Sequence, residues 1–234
     1  MKARSSAAEA IDLSWAVAEV ADLGWPGSAT PATTTALAMR LAASGVRLET
    51  RRIAAGDEAG FADPSEPLAR RRASGAARFA ARAGLAALGG DASAPLPRSP
   101  GRYPLWPKGF VGSLAHDDAM AVAVVARSTE IAGVGVDIEP AEPLPSDVAD
   151  FILQPSERRY AAHEPMLGRA IFSAKEAVYK AINPFDGTPL EYVDIWIDLF
   201  ARKATLRDGR TLSLDWARSE HWIVVALATA GTLG

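Results

Sequence analysis

Asp137 and Glu139 stand two apart in the apolar run Gly133-Val-Gly-Val-Asp137-Ile-Glu139. That run has strand character, and a spacing of two on a strand sends both carboxylates out of the same face. Downstream, Phe172-Ser-Ala-Lys175-Glu176-Ala-Val-Tyr-Lys180 is rich in Ala, Lys and Glu. On a helix Glu176 and Lys180, four apart, lie one above the other. A third carboxylate and a cation can thus meet the first two. Three carboxylates beside an ammonium make an oxygen-rich site suited to a magnesium ion that keeps waters and takes substrate phosphate oxygens as its remaining ligands.

Other residues carry chemistry less plainly. Arg70, Arg71, Arg72, Arg78 and Arg82 fall on one Ala/Arg/Leu-rich segment, Leu68 to Leu88, closed by Gly89-Gly90. Such a charge run fits a solvated helix face, yet it also offers fork-shaped donors for phosphate, and the pattern alone leaves both readings open. His116 lies between Gly112-Ser113, read as a turn, and the apolar strand Met120 to Val125, and it is equally open to a structural or a site role. A Ser113/His116/Asp117 triad is rejected. Nucleophile, base and orienter must converge from different elements, and no Gly-x-Ser-x-Gly elbow is present. A P-loop nucleotide enzyme has little support, because Gly-x-x-x-x-Gly-Lys-[Ser/Thr] is missing.

The elements that must position these groups follow from periodicity and punctuation. A first strand is predicted over Gly45 to Ile53, then a turn at Pro64 to Pro67, the arginine helix, and a Pro/Gly/Ser/Arg loop over 91–109. The carboxylate strand spans Ile131 to Ile138. Two helical segments follow, Ser146 to Leu153 and Ser156 to Ala162, and then a long helix from Met166 to Ile182 stopped by Asn183-Pro184. Tyr192 to Leu199 alternates as a half-buried strand. Lys203 to Arg207 and Arg210 to Asp215 flank Asp208-Gly209, a strong hairpin signal, and His221 to Thr229 closes the series. His116 before Ala121 to Val125 echoes His221 before Ile223 to Leu227. The expected fold is therefore α/β (α+β): two similar lobes with pseudo-twofold symmetry, each a small mainly antiparallel sheet packed with helices. The expected division is 1–40 as a poorly ordered N-terminal extension with a short amphipathic helix at Ile11 to Leu23, 41–128 as the first lobe, and 129–234 as the second.

With 234 residues, 49% hydrophobic and 23% charged, the chain is long enough for a sizeable core. The net charge of -3 argues against a nucleic-acid partner. The absence of cysteine rules out a disulfide scaffold, a thiolate nucleophile and a cysteine-ligated zinc. No apolar run is long enough for a bilayer, so the expectation is a cytoplasmic protein with no membrane partner.

Taken together, Trp106-Pro107-x-Gly109, Gly112-Ser113-x-x-His116, Gly135-Val-Asp137-Ile-Glu139 and Phe172-Ser-x-Lys175-Glu176-Ala-x-Tyr-Lys180 resemble, in order, the motifs of the two-lobed 4'-phosphopantetheinyl transferases. The resemblance runs from about Val46 to the end. It implies a monomeric enzyme that moves the phosphopantetheine arm of coenzyme A to a serine of an apo acyl or peptidyl carrier protein, in siderophore or secondary-metabolite biosynthesis, and releases 3',5'-adenosine bisphosphate. It implies magnesium, with manganese as the alternative, on Asp137, Glu139 and Glu176. Glu176 is then the expected base and Lys180 the group that stabilises phosphate charge. Arg70, Arg78, Arg98, Ser113, His116, Asp137 and Lys180 are the expected coenzyme A contacts, with His116 on the 3'-phosphate. Two departures stand out. Ser74-Gly75-Ala-Ala77-Arg78 replaces the Glu-Phe-x-x-Gly-Arg of the resembled helix, and Phe172 replaces a tryptophan. A competing reading is a catalytically silent module of the same fold that binds carrier protein or coenzyme A. Retention of Asp137, Glu139, Glu176 and Lys180 argues against it, since clustered carboxylates are costly to keep without use.

Overall fold

The computed structural model describes residues 33–61, 63, 65–187 and 189–233. The helix expected at Ile11 to Leu23 lies outside these residues. The described part of the expected extension is helical: α1, Thr34–Ala43, starts where the Thr33 hydroxyl accepts the Ala36 N–H and buries Leu37 and Leu41. Its apolar i, i+4 face and the Arg40 pair with Asp215 explain why this stretch is built into the fold rather than left outside it.

Two antiparallel sheets make the centre of the molecule. β1 (Arg47–Arg52), β2 (Phe110–His116) and β3 (Met120–Arg127) form a sheet of order β1-β3-β2. β4 (Gly133–Pro140), β5 (Ile195–Asp198), β6 (Lys203–Leu206), β7 (Thr211–Arg218) and β8 (His221–Ala228) form the second, of order β4-β8-β7-β6-β5. The first lobe runs strand, helix, strand, strand; the second runs one strand, three helices and four strands, and the order β1-β3-β2 recurs within it as β4-β8-β7. The sheets face one another. Val122, Val124 and Ala126 of β3 share a core with Val134, Val136 and Ile138 of β4 and with Ile223 and Val225 of β8. On its other face the first sheet is covered by α2 (Leu68–Ala87), whose Ala80, Ala81 and Leu85 meet Ala123 and Val125. The second is covered by α5 (Pro165–Asp186), with α3 (Ser146–Ile152) and α4 (Pro155–His163) beside it. Strands covered on both sides read as unbroken apolar runs, which is why β3 and β8 show no alternation. A last short helix, α6, spans Ala230–Leu233.

Three expectations change. Gly112-Ser113 is not a turn but the middle of β2, and the turn comes after His116, where Asp117 Oδ1 accepts the N–H groups of Ala119 and Met120. The long helix does not stop at Asn183-Pro184. It runs through Pro184 to Asp186 and ends at Gly187 in the left-handed region, φ 61°. Tyr192–Asp194 is a 3-10 turn that precedes β5 rather than its first residues.

Candidate functional site

The contact between β4 and α5 sets the site. Residues 133, 135, 137 and 139 leave one face of β4 about 6.6 Å apart, and every fourth residue of a helix advances about 6 Å, so the two series stay nearly in step. Gly133 sits under the Ala181 carbonyl and Gly135 under the Ala177 carbonyl, where an added Cβ would lie 2.6 Å and 1.8 Å from oxygen. At the other end Arg169 Nη1 donates to Glu139 Oε2 at 2.9 Å. Two glycines thus let the helix lie on the strand, and the next two positions carry the carboxylates.

Asp137 is 6% exposed, and Lys180 Nζ donates to its Oδ1 at 2.6 Å. Its Oδ2 makes no hydrogen bond of ordinary geometry, nor does the hydroxyl of Ser173 on the facing helix turn, though that hydroxyl stands near enough to favour the Asp137 carboxylate. Burial pushes the Asp137 carboxyl above its usual range, against the pull of Lys180 and with the help of the nearby Glu176 charge. Glu139 is raised as well, first by burial and then by the Asp137 charge, with Arg169 opposing. Glu176 accepts the Tyr192 hydroxyl at Oε1, 2.6 Å, and burial together with that carboxylate pushes the Tyr192 phenol well above its usual range. Each carboxylate is therefore turned to a donor of its own. Among the described residues no three His, Asp or Glu groups stand as a ready-made metal cluster. The donor set nevertheless fits a hard cation: it is all oxygen, and the orphaned Asp137 Oδ2 is a buried acceptor that a cation would satisfy.

A cleft of about 460 Å³ opens beside these groups, between α5 (Glu176, Tyr179, Lys180), β2 (Ser113) and the loop carrying Tyr103 and Trp106. Trp106 rests on Gly112, where a Cβ would come within 2.4 Å of its ring, so the two motif pieces around 106 and 112 fit as one unit. A second cleft, about 550 Å³, is lined by Arg70, Arg72, His116, Asp117 and Ala54. Ser113 and His116, three apart on β2, line different clefts, as the alternation of a strand requires. Although the surface of His116 is exposed, the protein packed around it pushes its imidazole below the usual range; the Lys180 and Arg70 cations add to this, and the Asp117 backbone and carboxylate oppose it.

Arg70 thus reaches the His116 cleft, while Arg78 and Arg98 are placed elsewhere. Arg78 is 5% exposed and donates from Nε to the Leu96 carbonyl at 2.8 Å and from Nη1 to that of Ser74 at 3.0 Å, lying 4.2 Å over the Phe61 ring. Burial, with Arg98 and Arg82 nearby, pushes it down to about 10. It ties the 91–109 loop to α2 instead of facing His116. Arg98 pairs with Glu66 at 2.9 Å and stacks on the same Phe61. Gly75, the departure in this helix, lies under the 3-10 turn Asp57–Gly60, where a Cβ would be 1.8 Å from the Asp57 carbonyl.

Two partners went unpredicted. Arg169 and Tyr192 hold Glu139 and Glu176, and only Arg169 had a signal, since 169, 173, 176 and 180 trace one helical face. Lys175 is fully buried. Its Nζ meets Glu157 Oε2 at 2.7 Å and the carbonyls of Ile152 and Tyr192, each at 3.0 Å, knitting α3, α4 and the 192 turn to α5.

A family model described as 4'-phosphopantetheinyl transferase N-terminal domain matches residues 62–126, and the 4'-phosphopantetheinyl transferase superfamily model matches 133–227. The chain is 38% identical over 178 residues to the 4'-phosphopantetheinyl transferase Svp of Streptomyces mobaraensis, covering 67% of this chain and 71% of that protein. It is 40% identical over 121 residues to Npt of Nocardia iowensis, covering 49% and 53%. With PptT of Mycobacterium tuberculosis it shares 36% identity over 150 residues, covering 58% and 65%, so the chain spans less than two thirds of these last two relatives. A solved structure, the holo-(acyl-carrier-protein) synthase of Thermotoga maritima, matches 42% of this chain and 64% of its own at 20% identity and a TM-score of 0.32. That likeness is too slight to carry argument.

Proposed function

The chain belongs to the 4'-phosphopantetheinyl transferase superfamily, and on that premise we propose that it transfers the 4'-phosphopantetheine arm of coenzyme A to a serine of an apo carrier protein, with magnesium, releasing 3',5'-adenosine bisphosphate. The observation that carries this reading is Lys180, which lines a cleft together with Glu176 and meets the buried Asp137 behind it at 2.6 Å. The serine Oγ attacks the phosphorus that bears the pantetheine arm. The bond from that phosphorus to the bridging oxygen breaks, and its electrons leave with adenosine bisphosphate. Glu176 takes the serine proton, because an unactivated hydroxyl is a poor nucleophile. Lys180 stabilises charge growing on the phosphates and leaving group. Asp137, Glu139 and Glu176 are the residues to hold magnesium, with manganese as the alternative, whose chemistry when bound is neutralisation of the pyrophosphate.

Arg70 and His116 take the 3'-phosphate in the second cleft. Ser113, whose strand neighbour Gly112 seats Trp106, lines the path of the arm. The protein is read as a cytoplasmic monomer; among the described residues no helix is long and apolar enough to cross a membrane.

The test is incubation with coenzyme A, magnesium and several purified apo carriers, followed by intact mass. One carrier should gain the mass of the arm. Asp137→Ala and Glu176→Gln should lower turnover by orders of magnitude in a folded protein, because each removes a group acting on the reacting phosphate. Binding of coenzyme A and carrier with no mass gain would favour the silent-module reading instead.

A further inference from the structure

The second cleft carries two carboxylates, Asp117 and Asp118, beside Arg70, Arg72 and His116. An anion entering it therefore meets negative charge as well as positive. Asp118 is exposed, so water screens it. Asp117 is not, with a side chain only 14% exposed. Its Oδ1 accepts the N–H groups of Ala119 and Met120, both at 2.7 Å. Its Oδ2 faces His221 Nε2 at 2.7 Å and makes no hydrogen bond of ordinary geometry, so the imidazole meets it by nearness alone. His221 comes from the other lobe. It opens β8 opposite Pro140, the residue that closes β4, and its carbonyl accepts the Ser219 N–H at 2.9 Å. Its backbone is thus fixed independently of Asp117.

Resting on the proposed place of the 3'-phosphate, we infer that His221 masks the Asp117 carboxylate, so that a cleft with an acid in its wall can take a phosphate. The turn after β2 needs Asp117, because two backbone N–H groups end on it. The ligand does not, since a phosphate monoester brings about two negative charges of its own at neutral pH. Like charges facing one another where water is partly excluded repel strongly enough to change affinity by an order of magnitude. The imidazole, reaching across from the second lobe, takes up the oxygen that the turn leaves over. Among the described residues His221 does not line the cleft, so it acts through Asp117 and not on the ligand.

The experiment is calorimetric titration of coenzyme A and of dephospho-coenzyme A into the full chain, with thermal melts alongside. His221→Ala should weaken coenzyme A about tenfold and dephospho-coenzyme A by less than about twofold. Asp117→Asn keeps an oxygen for the two N–H groups and drops the charge, so it should bind coenzyme A at least as tightly as the parent. The double variant should regain the parent's preference for coenzyme A to within about twofold, although it carries the same cavity as His221→Ala. A histidine that merely anchors the turn gives another pattern: the double variant stays as weak as His221→Ala, or both ligands weaken alike. Either result overturns the inference, as does a weaker coenzyme A complex in Asp117→Asn. Should His221→Ala not fold, His221→Phe, which keeps a ring and loses its nitrogens, takes its place in the same comparison. A parent that binds the two ligands equally would remove the 3'-phosphate reading and the inference with it. A parent that prefers coenzyme A, with a preference unmoved in His221→Ala, would leave that reading standing and overturn the inference alone.

Discussion

His116 ends β2 between two cations, Lys180 and Arg70, and its imidazole is held below the ordinary histidine range. It therefore gives up its proton more readily than an ordinary imidazole, and an anion beside it would favour the protonated form. Binding of a 3'-phosphate beside it raises its affinity for a proton, so by linkage coenzyme A should bind more tightly as pH falls from about 7.5 to about 6. The phosphate titrates near the same pH, so the parent protein alone does not decide the matter. His116→Gln isolates the residue: calorimetric titrations should show a shallower pH dependence in the variant, and identical slopes would take His116 off the phosphate. At this scale the sequence was informative about types and poor about partners. Asp137, Glu139, Glu176 and Lys180 were legible because spacing of two and four fixes a shared face. Tyr192 was not, because its hydroxyl reaches Glu176 from a 3-10 turn 16 residues away, and no local period links the two.

Elements meet here through what is missing as much as through what is present. Gly133 and Gly135 have no side chain, and α5 lies directly over them, which is why an apolar strand motif and a Lys-Glu helix motif form one site. Gly135→Ala would put a methyl 1.8 Å from the Ala177 carbonyl, so the helix must lift by more than about 1 Å, carrying Glu176 and Lys180 with it. Misplacement of that size costs about a hundredfold in turnover, and overpacking destabilises by roughly 1 to 3 kcal/mol. Steady-state rates and thermal melts should show both, while coenzyme A binding in the arginine cleft changes little. Undiminished turnover would mean the helix does not position the chemistry. The helices and most strands were legible from period and turn residues, and Asp208-Gly209 does turn between β6 and β7, with Gly209 at φ 90°. β2 was obscured because its glycine and serine read as a turn. They sit in a strand because Gly112 leaves room for Trp106 and Ser113 is buried, tertiary demands that local propensity does not report.

Across the whole molecule, two sheets share one core, and α1 straps the first lobe to the second through Arg40, which donates to Asp215 and to the Trp216 carbonyl. His221 Nε2 meets Asp117 Oδ2 at 2.7 Å, joining the β2–β3 turn to the start of β8. On the proposed placement a ligand over β2 would touch both lobes, with its 3'-phosphate in the Arg70 cleft and its arm beside Glu176 and Lys180. The two arginines once grouped together should separate on this geometry. Arg70 has a half-exposed side chain, 55%, and a loose 3.5 Å contact to Glu66, so Arg70→Ala should cost little stability. It should weaken coenzyme A about tenfold, a penalty that largely vanishes with dephospho-coenzyme A, which offers no 3'-phosphate. Arg78→Ala does the reverse: it leaves the Leu96 carbonyl without its donor, removes a second donor from the Ser74 carbonyl and takes the cation off Phe61, costing about 3 kcal/mol of stability. Its effect on the two ligands should be equal, since it acts through the 91–109 loop rather than through the phosphate. Titrations of both ligands into both variants, with melts alongside, give four affinities and two stabilities. A ligand-dependent penalty at Arg78, or equal penalties at Arg70, would reverse the assignment and place the phosphate against the buried guanidinium.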